Sequence, residues 1–136
     1  MRLPNGVLAP VLDDLAALAE LDIDARPAAR ICRSVEAVAA ALAPVQKQHA
    51  AVLRKNGAKA KQNEHGVENL SLDPTDPGYA AAMEELVPLF ADEVEVAVYP
   101  ISLDEDLRGV RVKPKHLARL LALGIVTQAE PDPENG

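Results

Sequence analysis

The sequence predicts an α+β fold, mostly helical: a hairpin on one long helix, a small two-stranded β element and a short C-terminal helix. Three observations carry that prediction. A seven-residue apolar repeat runs through residues 31–52, shorter amphipathic stretches flank it, and strict alternation replaces the helical period at Val94, Val96 and Val98.

The first element spans Val7 to Leu21. Leu8, Leu12, Leu15 and Ala19 fall on one face, with Val11 and Leu18 beside them, the spacing of an amphipathic helix. Asn5-Gly6 suits a cap or turn ahead of it, and Asp13 and Asp14 lie toward the positive end of the helix dipole.

The second element is the clearest. Ile31, Val35, Val38, Leu42, Val45, His49 and Val52 follow one another in steps of four and three, a seam on which one neighbour packs. Alanines fill much of the remaining surface and favour helix. Asp24 is a cap candidate, Pro27 suits the first turn, and Asn56-Gly57 is a stop preceded by Arg54 and Lys55. The prediction is one long helix over 26–56. Pro44 removes one backbone hydrogen bond, but the seam stays in phase across it, so one bent helix is expected.

Residues 57–77 are polar and turn-rich and predict a long connection, with Val67, Leu70 and Leu72 as a short extended piece on the core. A third helix is expected from Pro77 to Ala91, capped at Asp76, with Tyr79, Met83, Leu86 and Phe90 forming a stripe that docks on the long seam. Val94, Val96 and Val98 then predict a half-buried strand, paired as a hairpin with Val110 and Val112 across an exposed acidic loop, Asp104-Glu105-Asp106. A short helix from Pro114 carries Leu117, Leu120 and Leu121 to a stop at Gly124. Residues 1–126 read as one domain and 127–136 as a disordered acidic tail.

Composition narrows the function classes. With no Trp, one Phe and two Tyr, small aliphatic residues must fill the core, which suits helix packing better than a ligand pocket. Cys32 has no internal disulfide partner, and no apolar run has signal-peptide or membrane-spanning length, so a cytoplasmic chain is expected. The net charge of −7 is unevenly spread. Residues 26–61 hold eight basic residues against one acid, whereas 1–25 hold one against five and 73–136 five against thirteen. Such separation suits self-association, or neutralisation within one fold.

The chemistry-bearing residues do not assemble a motif. His49, His65 and His116 lie far apart in sequence; His49 occupies a seam position, where polar residues set register. Asn63-Glu64-His65-Gly66 offers two ligands on a loop, too few for a metal, and Asp104–Asp106 lacks the spacing and glycine of a calcium loop. Cys32 stands beside Arg30 and Arg33, yet no histidine is near in sequence, so packing is the better reading than nucleophile. No enzyme, metal or cofactor is expected. Lys47, Arg54, Lys55, Lys59 and Lys61 form a basic run over 47–61 that could meet phosphates, although the chain is acidic and the run carries no interleaved aromatics.

The order of features resembles a family. Arg-Pro-Ala-Ala-Arg-Ile through Ala-Ala-Val-Leu-Arg-Lys-Asn-Gly is followed by Ala-Ala-Met-Glu-Glu-Leu, then by Glu-Val-Glu-Val-Ala-Val and a Leu-rich helix. Over roughly residues 7–125 this is similar to the small uncharacterised proteins encoded among head and tail genes of tailed bacteriophages. The resemblance implies a non-enzymatic structural or assembly protein that self-associates or binds other phage structural proteins, in the host cytoplasm or on the virion. With one seam face buried, the expected contact residues are Arg26, Arg30, Arg33, Lys47, Arg54 and Lys55. The alternative is a small antitoxin-like regulator that touches nucleic acid through 47–61.

Overall fold

A computed structural model describes residues 1–62, 64 and 68–128. Four α-helices and six short strands lie along these residues. Strand β1 (Arg2–Pro4) leads through a 3₁₀ turn into α1 (Leu8–Ala19), and α2 (Ala25–Lys55) follows. The strands β2 (Lys59–Gln62) and β3 (Glu68–Ser71) precede α3 (Tyr79–Ala91). Strands β4 (Glu93–Glu95) and β5 (Ile101–Ser102), helix α4 (Pro114–Ala122) and strand β6 (Val126–Thr127) complete it.

The long helix forms as its repeat demands and runs continuously through Pro44, which lies on the exposed side. Ile31, Val38, Leu42 and Val45 are buried, whereas Val35, His49 and Val52 are half-buried, so the seam fades toward the C-terminal end. Asp24 stands at the N-cap position but makes no side-chain capping bond; its carbonyl accepts from Ala28 N–H. The helix stops on Gly57, at φ +92, with Ala58 N–H donating to Leu53 O at 2.9 Å. Helix α4 ends the same way: Gly124 takes φ +76 and Ile125 N–H reaches Leu120 O at 2.9 Å. Only a residue tolerant of the left-handed region fits either stop.

Helix α1 is the principal neighbour of α2, and the two form an antiparallel hairpin joined by residues 20–24. Leu8, Val11, Leu15 and Leu18 meet Ile31, Val38 and Leu42 in one core, closed by Leu120, Ile125 and Val126 from the chain's end. Helix α3 also docks on α2, and Phe90 sets its ring edge-on to His49 with centroids 5.3 Å apart.

The strand pairing differs from expectation in two places. Val94–Val98 does not pair with Val110–Val112. Strand β4 instead pairs antiparallel with β1, with Leu3 opposite Val94, so the N-terminal residues enter a sheet. After β4 the chain leaves extended pairing, Tyr99 N–H donates to the buried Ser34 Oγ at 2.9 Å, and β5 runs parallel to β6. Of the alternating valines only Val94 lies in a strand, Val96 and Val98 falling beyond β4; the partner lay ninety residues upstream, beyond the reach of local pattern. The acidic loop is also less free than expected. Asp106 folds back to accept from Ser102 N–H at 2.8 Å and from Arg30, and its side chain is 16% exposed.

The 57–77 connection is not plain loop. Within it β2 and β3 pair antiparallel, with Ala60 opposite Leu70. Leu70 and Leu72 are half-buried, as expected of an extended piece, whereas Val67 and the Asn63, His65 and Gly66 positions lie outside the described residues. Asp76 does not cap α3: Gly78 does so positionally, and the Asp76 carboxylate accepts from Asp73 N–H. The expected tail boundary moves, since Thr127 belongs to β6; residues 129–136 lie outside the described residues.

Candidate interaction surface

The inner face of α2 is consumed by the core, so any partner must meet its outer face. That face has a regular composition. Arg26, Arg33, Lys47 and Arg54 stand seven or fourteen residues apart, and all are exposed. Ala29, Ala40, Ala43 and Ala51 are exposed around them, and Glu36 supplies the single acid of the helix. A seven-residue step nearly completes two turns, so the cations form a slowly drifting row on the side away from the seam.

Of the six expected contact residues, the structure leaves Arg26, Arg33 and Lys47 exposed, with no ion-pair partner among the described residues. Arg54 is exposed and engaged in an interaction of its own. The other two serve the fold. Arg30 Nη1 donates to Asp106 Oδ2 at 3.2 Å, tying α2 to the acidic loop. Lys55 Nζ donates to Glu85 Oε1 at 2.6 Å, tying the end of α2 to α3. The hydrogen bonds from Lys55 and then Asn56, with a smaller charge attraction from Lys55, hold the Glu85 carboxyl below its ordinary value of 4.5. Two of the six thus form ion pairs within the fold, and the other four stand on the exposed row.

One polar cluster escaped the sequence reading. Asp14 is buried, its side chain 6% exposed. Arg119 Nη1 donates to its Oδ2 at 2.8 Å, and His116 Nδ1–H donates to its Oδ1 at 3.2 Å. The signal was present, because Asp14 falls between Val11, Leu15 and Leu18 on the buried stripe of α1. Its partners stand more than a hundred residues away, where local reading cannot find them. A cleft of about 320 Å³ opens beside His116, lined by Leu18, Glu20, Leu21, Arg111, Val112 and Lys113. Both carboxylate oxygens are occupied, so the buried Asp14, paired with the partly exposed His116 and Arg119, clamps α4 to α1.

A second, more apolar cleft of about 460 Å³ lies where Phe90 and Ala9 face Leu42, Val45 and His49. His49 thus packs on an aromatic ring at the edge of the seam. Cys32 is exposed rather than packed, contrary to the packing reading. Among the described residues no group of three potential ligands converges for a metal, and no helix is long and apolar enough to cross a membrane. No protein-family model, curated protein or solved structure matches the chain.

Proposed function

We propose that this chain is a non-enzymatic assembly protein that works by protein–protein contact and self-association, like the small head- and tail-module proteins of tailed bacteriophages. The observation that carries this reading is the outer face of α2. A 31-residue helix with its seam already satisfied still presents Arg26, Arg33 and Lys47 to solvent among small apolar residues. Charges so placed steer and orient a partner more than they add affinity. The site of action is the host cytoplasm, with or without retention on the particle. The satisfied Asp14 cluster supports a non-catalytic role, since both of its oxygens already hold cations or donors.

The alternative, nucleic-acid contact through 47–61, is disfavoured by Lys55, whose ammonium is already committed to Glu85. Light scattering during size exclusion, at low and high salt, tests the main reading. A defined oligomer that loosens at high salt is expected. A monomer at both salts, together with salt-dependent retention on DNA, overturns assembly in favour of the alternative.

A further inference from the structure

We infer that the cleft between the end of α1 and the start of α4 binds a free α-amino acid with an apolar side chain. This goes beyond the assembly reading and stands or falls without it.

The cleft holds about 320 Å³, at the lower end of the ~300–1,000 Å³ usual for ligand sites, so an amino acid suits it better than a nucleotide. Both elements supply its apolar wall. Leu18 is fully buried, and Leu21 and Val112 are half-buried beside it. An aliphatic side chain seated there leaves water for methyl groups.

The polar wall is mixed in sign. Glu20 lines the cleft from the C-cap of α1, and Arg111 and Lys113 line it from the segment that leads into α4. Among the described residues none of these three side chains forms an ion pair or a hydrogen bond. Opposite charges therefore share one cleft without meeting each other. His116 adds an acceptor. Its Nδ1–H is committed to Asp14 Oδ1 at 3.2 Å, which leaves the lone pair of the neutral ring on Nε2. That nitrogen has no partner among the described residues and is not buried.

The helix ends reinforce the side chains. Glu20 closes α1 at the negative end of its dipole, whereas Lys113 opens α4 at the positive end and makes no side-chain capping bond. A ligand that satisfies this wall carries both signs of charge close together. The ammonium of an α-amino acid has Glu20 and His116 Nε2 as acceptors, and its carboxylate has Arg111 and Lys113 as donors. The competitors fit less well. A phosphate would face the Glu20 carboxylate and the His116 lone pair, and a simple carboxylic acid would leave both acceptors unmet.

The test titrates the full-length protein with L-leucine, and with L-valine and L-phenylalanine as smaller and larger members of the class. Nuclear magnetic resonance and calorimetry read the binding. Saturable shifts are expected in the amides of residues 17–21 and 111–116. Two truncated probes dissect the polar wall: leucinamide lacks the carboxylate and 4-methylpentanoate lacks the ammonium. Each should bind about tenfold more weakly than leucine, the factor carried by one hydrogen bond to a charged group. Glu20→Gln should weaken leucine by a similar factor and leave 4-methylpentanoate unchanged. Arg111→Gln with Lys113→Gln should erase the preference for leucine over leucinamide. The three substituted positions are exposed, so circular dichroism of the variants should match the wild type. If none of the three amino acids gives saturable shifts at the cleft, the site is overturned. Equal binding of leucine and both truncated probes, or variants that bind like the wild type, would overturn it as well.

Discussion

The two ends of α2 live in different surroundings. From Pro27 to Val45 the helix buries six residues, Ser34 among them, against α1 and the strands; from Gln46 to Lys55 it buries none. The first part shares a continuous apolar core reaching Leu3, Leu120 and Val126. The second is held by α3 and the β2–β3 hairpin, where the buried Ala82 and Leu86 lie apart from that core. Specific polar contacts act at the far end instead: Lys55 and Asn56 on Glu85, and the close approach of Gly78 to Asn56. Apolar burial scales with area, so the proximal part should set global stability and the distal part should open on its own.

The largest effect should follow from a charge in the proximal seam. Val38 is fully buried, and Val38→Asp places an unpaired carboxylate there. We expect loss of cooperative unfolding and of helical circular dichroism. A soluble, fully helical Val38→Asp protein would mean that the seam faces solvent. Next in size is the clamp between α1 and α4. Asp14→Ala strips His116 and Arg119 of their shared acceptor, and about 1–3 kcal/mol should be lost. Arg119 is half-exposed and can turn to water, which favours the lower end of that range. Chemical denaturation should show the loss as a lower midpoint with an unchanged slope.

These two residues also show what a sequence discloses. Val38 was legible because seven-residue spacing is a property of neighbours along one helix, and the observed helix Ala25–Lys55 differs from expectation by one residue at each end. The exposure of Arg26, Arg33 and Lys47 was legible for the same reason, since an outer face is the complement of an inner one. Asp14 was legible only as a polar residue in an apolar stripe; that it meets His116 and Arg119 depends on how α4 returns. The strand partners failed likewise. Val94 alternates wherever it pairs, and the choice of Leu3 over Val110 is made by the tertiary fold. That Arg30 and Lys55, two of the expected contact residues, form ion pairs within the fold was not legible, because their acceptors, Asp106 and Glu85, come from remote segments.

A smaller effect should separate the two ends directly. A Cβ at position 78 would collide with the Asn56 carbonyl oxygen, so only glycine lets α3 begin against the end of α2. Gly78→Ala should raise hydrogen exchange in 46–55 and in β2–β3 while leaving the amides of 31–45 protected. Uniformly faster exchange along α2 would show that the ends are one cooperative unit and erase the distinction.

The smallest effect is a pH dependence confined to the distal end. The hydrogen bond from Lys55, then that from Asn56, lowers the folded-state value of Glu85 below 4.5. A carboxyl lowered in the folded state contributes stability that is fully present above its unfolded value and disappears as pH falls through the folded one. The contribution of Glu85 should therefore be intact at neutral pH and fade below about pH 4.5. Glu85→Gln should open the distal segment slightly at pH 7, read by hydrogen exchange in 46–55, and should match the wild type at pH 3. Glu95, also lowered, chiefly by the hydrogen bond from the Met1 ammonium, is unchanged in the variant, so it cancels from the comparison. A difference between wild type and variant that persists unaltered at pH 3 would assign the effect to shape rather than charge. The contact between α2 and α3 would then rest on the fit of Gly78 against Asn56, and the ion pair would only decorate it.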